Sequence, residues 1–267
     1  MAEPGALTRK SLRRSKIVTL AHNREELERA AKSGADIVQI NMEDGVPDAR
    51  KAEARKILVR ALREIDWGSA ERWIKINPLV SGETERDVQA ITEGNPDAFI
   101  LAKLQSTEEV QTIANLLAAA ESEAGLQSGS IKLVASIERI RALSRVEEIA
   151  ACHARMTALQ FGPTDMSYEL GYRLDRTGQS FETLYARSRC VLAARLAGID
   201  AGDGPYWLHQ DHFGTLRSAM WSFQLGFTHK ACHTAEQVPI VHKAFEVMSD
   251  PQADWAARYL GEVHPSV

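Results

Sequence analysis

The stretch KLVASIERIRALSRVEEIAACHARMTALQFGPTD, residues 132–165, carries the pattern that decides the fold. It begins with an apolar run at 132–138, passes through a helix-like segment at 143–152 and returns to an apolar run at 156–162. Short runs rich in Ile, Val and Leu are typical of parallel strands that are buried on both faces. We therefore interpret this stretch as strand, helix and strand, with polar residues after each strand.

The same alternation extends in both directions along the chain. Further strands are predicted over 16–21, 36–41, 72–77, 98–103 and 229–232, with a weaker one over 204–208. Helices are predicted over 24–33, 48–65, 85–92, 107–124, 183–197, 216–225 and 235–247, with Asn23, Asp48 and Ser106 as N-caps, and a loop from Gly162 to about Phe181. About eight βα units predict a (β/α)8 TIM barrel, and an open doubly wound sheet is the alternative.

Length and composition limit the class of protein. The chain has 267 residues, 44% of them hydrophobic, and a formal net charge of −4, which excludes a disordered chain and disfavours binding to nucleic acid. There is no run of eighteen apolar residues and no apolar secretory segment at the start, so no membrane association is expected. Three well-separated cysteines suggest reduced thiols in the cytoplasm.

The domain organisation follows from the same reading. We predict a basic N-terminal arm over residues 1–14 and a single barrel domain over 15–250. The segment 251–267 is a candidate for a subunit contact.

Polar residues follow several of the predicted strands, where a barrel of this kind carries its chemistry. Glu138 and Asp165 come at the ends of adjacent predicted strands, and two carboxylates there would suit one Mg²⁺, with Mn²⁺ as a substitute. The alternative is that Glu138 pairs with Arg139 or Arg141 and that Asp165 caps the following turn.

Two lysines also lie at strand ends, where burial is costly without an anionic partner. Lys75 and Lys103 are candidates for binding a carboxylate or an enolate oxygen, and a Schiff-base role is open to either amine. The alternative is a structural salt bridge to Glu43 or Asp44.

Short motifs at these strand ends resemble those of the citrate lyase beta-subunit-like proteins within the HpcH/HpaI aldolase/citrate lyase family. The resemblance runs from about Arg14 to Val247. Its motifs are Arg14-Ser15, Asn41-Met42-Glu43-Asp44-Gly45-Val46, Lys51 with Ala54-Arg55, Lys75-Ile76-Asn77, Ala102-Lys103, Ser136-Ile137-Glu138-Arg139, Gly162-Pro163-Thr164-Asp165 with Leu170-Gly171, Asp203-Gly204-Pro205-Tyr206, and Gly226-Phe227 with Lys230, His233 and Gln237.

The resemblance implies a homotrimeric or hexameric, Mg²⁺-dependent carbon–carbon lyase with a (β/α)8 fold. Its reaction would be retro-aldol or retro-Claisen cleavage of a β-hydroxyacyl thioester, or of a related hydroxy acid, to a 2-oxo acid and an enolate-derived product. The partner would be a small 2-oxo or hydroxy acid, with coenzyme A or an acyl carrier protein as the thioester carrier. The resemblance implies that Glu138 and Asp165 are the metal ligands. Substrate would be bound by both carboxylates and by Lys75, Gly162, Pro163 and Thr164, with Lys75, Glu43 and Asp44 as catalytic residues.

Several residues depart from the family pattern. Lys75 stands in place of an arginine and Asn41 in place of an aspartate, while Arg139 and Thr234 replace a threonine and a proline. Because lysine lacks the planar fork of arginine, the change at 75 is not conservative. We expect a divergent subfamily with an altered substrate. The alternatives are a class II pyruvate-type aldolase of the HpcH/HpaI kind and a non-catalytic binding or assembly paralogue.

Other polar residues have two readings each. Arg24 and Arg29 are weak candidates for binding the phosphates of a thioester carrier, or else they pair with Glu25 and Glu28 on a solvated helix face. The run from His209 to His212 is either a transition-metal site or, as we favour, a loop at the barrel mouth.

Overall fold

The structure, a computed structural model, describes residues 13–176 and 180–249. Eight parallel strands pair in chain order and close into a barrel, since the last strand pairs with the first. The predicted (β/α)8 barrel is therefore confirmed. The strands are β1 (Ser15–Leu20), β2 (Ile37–Asn41), β3 (Glu71–Ile76), β4 (Ala98–Leu101), β5 (Lys132–Ile137), β6 (Met156–Phe161), β7 (Asp200–Asp203) and β8 (His229–Cys232).

Helices connect the strands and pack around the barrel. They are α1 (Arg24–Ala31), α2 (Lys51–Glu64), α3 (Thr84–Thr92), α4 (Thr107–Glu123), α5 (Ile140–Ser144), α6 (Val146–Ala151), α7 (Pro163–Leu170), α8 (Leu184–Ala197), α9 (His212–Leu225) and α10 (Gln237–Ser249). Asn23 and Ser106 cap α1 and α4 as predicted. Asp48 instead begins a short 3-10 turn before α2 and makes no side-chain cap. Across residues 13–176 and 180–249, no helix has the length and apolarity that a membrane crossing requires.

Three further local predictions were wrong. The seventh strand is Asp200–Asp203 and not 204–208, because its sequence Asp-Ala-Gly-Asp contains residues that strands disfavour. The predicted loop after Gly162 begins with α7, which has Pro163 in its first turn, a favoured position for proline. The helix predicted over 143–152 divides into α5 and α6 at Arg145, whose φ of −121° is not helical.

The interior of the barrel is small and partly polar. Side chains alternate along each strand, so Ser15 and Ile17 face the helices, and Lys16 between them faces the interior. Gln160 of β6 donates to Gln39 of β2 across the barrel, over 3.0 Å. An apolar layer also fills the interior, built from Ile37, Trp73, Ala98, Ile100, Val134 and Ala158.

Arg13 closes the floor of the barrel. Its guanidinium is 2.8 Å from Glu71 and 2.7 Å from Asp200, at the starts of β3 and β7, and it lies over the Trp73 ring. Arg14 pairs with Asp36 at 3.1 Å. These two arginines, which we had placed in the basic arm, therefore bind the barrel. The rest of the arm and the segment 251–267 lie outside the described residues, and the domain boundaries stay a prediction.

Candidate active site

Acidic and basic side chains gather at the carboxyl ends of β2 to β6. Glu43 follows β2, Lys75 lies within β3, and Glu138 follows β5. Lys75 Nζ is 2.9 Å from Glu43 Oε2 and 3.2 Å from Glu138 Oε2, and all three side chains are buried. The lysine therefore bridges two carboxylates that come from separate strands.

Lys103 binds the same cluster from the end of β4. Its Nζ is 2.6 Å from Glu43 Oε1 and 2.6 Å from Asp44 Oδ2, and its backbone N–H donates to Glu138 Oε1 over 2.7 Å. The backbone of Lys103 is in an unusual conformation at this bond, with φ of +49°. Non-glycine residues in this region are uncommon and concentrate at functional sites. The salt bridges that we offered as the alternative for both lysines are thus present.

The charges of this cluster stabilise one another. Burial alone would raise the pKa of Glu43, but Lys75 and Lys103 hold it below its usual value. Burial alone would lower the pKa of Lys75, but Glu138 and Glu43 raise it above its usual value. The pKa of Lys103 is raised as well, by Asp44 and Glu43 against the effect of burial. Both amines are therefore charged at neutral pH and suit the binding of an anion, whereas a Schiff base needs a neutral amine.

Asp165 faces Glu138 from the first turn of α7. In the described ranges no hydrogen bond or ion pair engages its carboxylate, so it does not cap the turn as the alternative had it. Its pKa is raised by burial and then by the negative charge of Glu138. Two carboxylates that repel each other, one of them without a partner, are the donor set that a divalent cation relieves.

The residue types fit Mg²⁺ better than a transition metal. Among residues 13–176 and 180–249, no three His, Cys, Asp or Glu side chains form a ready ligand set. Mg²⁺ is commonly held by one or two carboxylates, with water and substrate oxygens completing its shell. Glu138 and Asp165 meet that requirement, and Glu138 is held in place by Lys75 and not by Arg139 or Arg141.

Gly162 makes room for Glu138. A Cβ atom at position 162 would lie 2.6 Å from Glu138 Cβ and 2.8 Å from Glu138 Oε2, closer than carbon atoms pack. Pro163 and Thr164 then open α7 and carry the chain to Asp165. Gly162, Pro163 and Thr164, which we predicted to bind substrate, therefore border the two carboxylates.

Other predicted residues lie further from this cluster. Asp44 touches it only through Lys103, and its side chain is 66% exposed. Arg24 pairs with Glu28 and Glu64 on the surface, in agreement with the alternative that it belongs to a solvated helix face. Arg29 lies in the last turn of the same helix, α1. The carrier-binding role of these two arginines stays a prediction.

A second polar cluster lies behind β3. Asn77 follows the end of β3, and its side chain turns towards the helices. Its amide donates to Asp87 over 2.6 Å and to the Met42 carbonyl over 3.1 Å, and Lys51 donates to its oxygen. Arg55 binds Asp87 at 2.7 Å. These motif residues tie the loop after β2, which carries Glu43, to the end of β3, which carries Lys75.

The histidines after β7 and β8 form a ring stack. His233 lies between Trp207, with ring centroids 4.9 Å apart, and His209, at 5.1 Å. Burial lowers the pKa of His233 to about 4. Asp211 caps α9 by accepting from the Gly214 N–H over 2.8 Å. The loop reading of His209 to His212 is therefore favoured over the transition-metal reading.

Sequence reasoning missed Lys16. Its side chain is fully buried in the barrel interior, and its Nζ has no hydrogen-bond partner among the described residues. Burial, and then the charge of Lys75, lower its pKa to about 7. The sequence did contain an indication of this residue, because a lysine at an inward position of an apolar strand is exceptional.

This lysine predicts a pH-dependent stability. In the unfolded chain the amine of Lys16 keeps its proton up to about pH 10.4, whereas in the folded chain it loses that proton above about pH 7. Between these two pH values the unfolded chain therefore binds one proton more than the folded chain. The cost of burying Lys16 is therefore complete below pH 7 and disappears as the pH rises to 10. We expect Lys16→Met to raise the free energy of unfolding by about 4 kcal/mol at pH 7 and hardly at all near pH 10.

Urea titrations of both proteins at several pH values would measure this difference. The exposed Lys132→Met on β5 is the control and should leave the pH dependence unchanged. A Lys16→Met protein whose difference from wild type is the same at pH 7 and pH 10 would contradict the prediction.

The fold and this cluster define a TIM-barrel protein with paired carboxylates and lysines at the carboxyl ends of its strands. The model of the HpcH/HpaI aldolase/citrate lyase family matches residues 14–235. The chain belongs to this family.

Individual relatives are similar over most of their length. The chain is 30% identical to the citrate lyase subunit beta of Leuconostoc mesenteroides subsp. cremoris, over 88% of this chain and 77% of that protein. It is 28% identical to the L-malyl-CoA/beta-methylmalyl-CoA lyase of Rhodobacter capsulatus, over 82% and 74%. The structure of the citrate lyase beta subunit of M. tuberculosis complexed with oxaloacetate and magnesium aligns with a TM-score of 0.72 and 26% identity, covering 86% of this chain and 96% of that one.

Proposed function

We propose that this protein is a Mg²⁺-dependent carbon–carbon lyase that cleaves a β-hydroxyacyl thioester, or a related hydroxy acid, to a 2-oxo acid and an enolate-derived product. The observation that carries the proposal is the pair of carboxylates, Glu138 and Asp165, beside the charged amine of Lys75. Similarity to proteins named as lyases of citrate and of malyl-CoA supports the reaction class.

Each residue has a role that follows from its surroundings. Glu138 and Asp165 would hold Mg²⁺, which supplies a Lewis acid for the oxygens of the 2-oxo or hydroxy acid. Lys75 and Lys103 supply fixed positive charge where cleavage develops the negative charge of an enolate. Glu43 and Asp44 would act indirectly, since their carboxylates orient these two amines.

Cleavage moves one proton and one electron pair. The substrate hydroxyl loses its proton as its carbon becomes the carbonyl of the 2-oxo acid. The electrons of the broken carbon–carbon bond pass to the other fragment as an enolate, which a proton then quenches. The lysines remain charged throughout, because their raised pKa values keep them protonated.

A pyruvate-type aldolase is the second candidate. The family's description covers aldolases as well as citrate lyase, and Gly162-Pro163-Thr164-Asp165 suits either reaction. The thioester, with coenzyme A or an acyl carrier protein as its carrier, distinguishes the first candidate. A homotrimer or hexamer in the cytoplasm, with Mn²⁺ able to replace Mg²⁺, completes the proposal.

The test is a cleavage assay on metal-stripped protein with and without added Mg²⁺. Malyl-coenzyme A and citramalyl-coenzyme A are the thioester substrates, and 4-hydroxy-2-oxo acids are the aldolase substrates. We expect Mg²⁺-dependent release of a 2-oxo acid from a thioester. Cleavage of the hydroxy-oxo acids alone would select the aldolase, and no turnover of either group would select a non-catalytic protein.

A further inference from the structure

A small cavity on the helix side of β7 holds more positive than negative charge. It lies between β7, α8, α9 and the start of α7, and its volume is about 30 Å³. Arg187 of α8 and Lys230 of β8 line this cavity together with Asp203 of β7, and all three side chains are buried. Two buried cations therefore share one buried carboxylate.

The other charged residues that line the cavity do not correct this balance. Arg176 and Asp175 also border it and bring one charge of each sign. Within residues 13–176 and 180–249, Asp203 and Asp175 are the only carboxylates that line the cavity. An uncompensated charge in a protein interior is costly, so a buried cluster of this kind is expected to be neutral.

The surroundings of Lys230 suit its charged form. Its Nζ donates to the Gly204 carbonyl over 3.0 Å, to Ser222 Oγ over 3.2 Å and to Asp203 Oδ2 over 3.3 Å. An ammonium has three N–H donors, and each of them has an acceptor here. Burial and the charge of Arg187 lower the pKa of Lys230, and Asp203 opposes them. The three acceptors favour the ammonium, so the surplus positive charge remains.

Hydrogen-bond donors are available in the same cavity. Arg187 uses its Nε and Nη2 on Asp203, whereas its Nη1 donates to no group in the described parts of the chain. Ser218 and Trp221 of α9 also line the cavity, and no described residue accepts from their hydroxyl or indole N–H. Guanidinium, hydroxyl and indole N–H groups all donate. Water could accept from these donors, but only an anion would also neutralise the charge.

We propose that this cavity binds one small monovalent anion, such as chloride, between Arg187 and Ser218. A cavity of about 30 Å³ has room for one or two water-sized groups, so phosphate, sulfate and nucleotides are too large for it. The ion neutralises the cluster and stabilises the packing of α8 and α9 against β7. It uses neither Glu138 nor Asp165, and the inference is independent of the proposed reaction.

The experiment is thermal unfolding of the protein at increasing chloride and constant ionic strength. Chloride is varied from about 1 to 200 mM, and gluconate, which is too large for the cavity, makes up the remaining anion. A ligand that binds only the folded chain stabilises it with the logarithm of its concentration. Above the dissociation constant we expect the Tm to rise by about 2–5 °C for each tenfold increase in chloride, and bromide should act in the same way.

Ser218→Val is the test variant. It removes one donor and fills part of the cavity with methyl groups, so the dependence of the Tm on chloride should disappear. Ser188→Val is the matched control, because Ser188 is a half-buried serine of α8 that does not line the cavity, and it should keep the wild-type dependence. General effects of chloride and gluconate on the protein surface act equally on both variants, so a difference between them reports the bound ion.

A crystal soaked in bromide provides a measurement that does not require the variant to fold. We expect an anomalous scattering peak in the cavity, between Arg187 and Ser218. The inference is wrong if the wild type has the same Tm in chloride and in gluconate, if a folded Ser218→Val keeps the full chloride dependence, or if no bromide peak lies in the cavity. None of these results would affect the proposed function, which the cleavage assay tests separately.

Discussion

Glu138→Gln is expected to reduce Mg²⁺-dependent turnover by about a thousandfold or more. Glutamine keeps the shape of the side chain, so it still fits beside Gly162 and still accepts from the Lys103 N–H. It removes the negative charge that the metal requires, and a Lewis acid contributes several kcal/mol to such a transition state. Lys75 keeps Glu43 as a partner, and the fold should therefore survive.

The measurement is the rate of 2-oxo acid release at saturating Mg²⁺, together with Mg²⁺ affinity by calorimetry. Glu148→Gln is the matched control, because Glu148 is an exposed glutamate on α6 that pairs with Arg145. We expect the control to retain wild-type turnover. A Glu138→Gln protein with unaltered turnover and metal affinity would remove Glu138 from the metal site.

The periodic strands were predictable, because their physics is local. Runs rich in buried Ile, Val and Leu located β1 to β6 to within two residues, and the polar residues after them located the site. β7 was misplaced because Asp203, which belongs to it, is compatible with burial only through distant partners. These partners, Arg187 and Lys230, belong to other elements, and no pattern in the sequence near Asp203 indicates that they bind it.

The details of the site were less predictable for the same reason. Sequence placed Lys75, Glu138 and Asp165 at one edge of the barrel, but it left open whether the lysine met substrate or protein. Lys103, with its positive φ, binds Glu138 through its backbone N–H, and that partner lies 35 residues along the chain. Lys16 was readable as an anomaly, yet its lack of a partner depends on the closed barrel around it.

Asp203→Asn is expected to be the most destabilising change, with a loss of about 3–5 kcal/mol in the free energy of unfolding. The carboxylate is buried and accepts from Arg187 over 2.5 and 3.1 Å, from Lys230 over 3.3 Å and from Ser222. Asparagine would leave two buried cations with no counter-charge. The aspartate that the resemblance flagged before Gly204 is thus a structural hub between β7, β8, α8 and α9.

The effect should depend on pH in a defined direction. Burial alone would raise the pKa of Asp203, but Arg187 and Lys230 hold it well below the value of about 3.9 that an unfolded chain would show. The stabilisation by Asp203 is therefore complete above about pH 5 and is lost as the pH falls below 4. In urea unfolding, the free energies of unfolding of the wild type and Asp203→Asn should differ by a constant amount at pH 5–7 and by less at lower pH.

Asp200→Asn, on the same strand, is the control. The Asp200 carboxylate is 31% exposed, and its pair with Arg13 should be worth about 1 kcal/mol at most. Equal losses in the two variants would contradict the assignment of Asp203 as the buried hub.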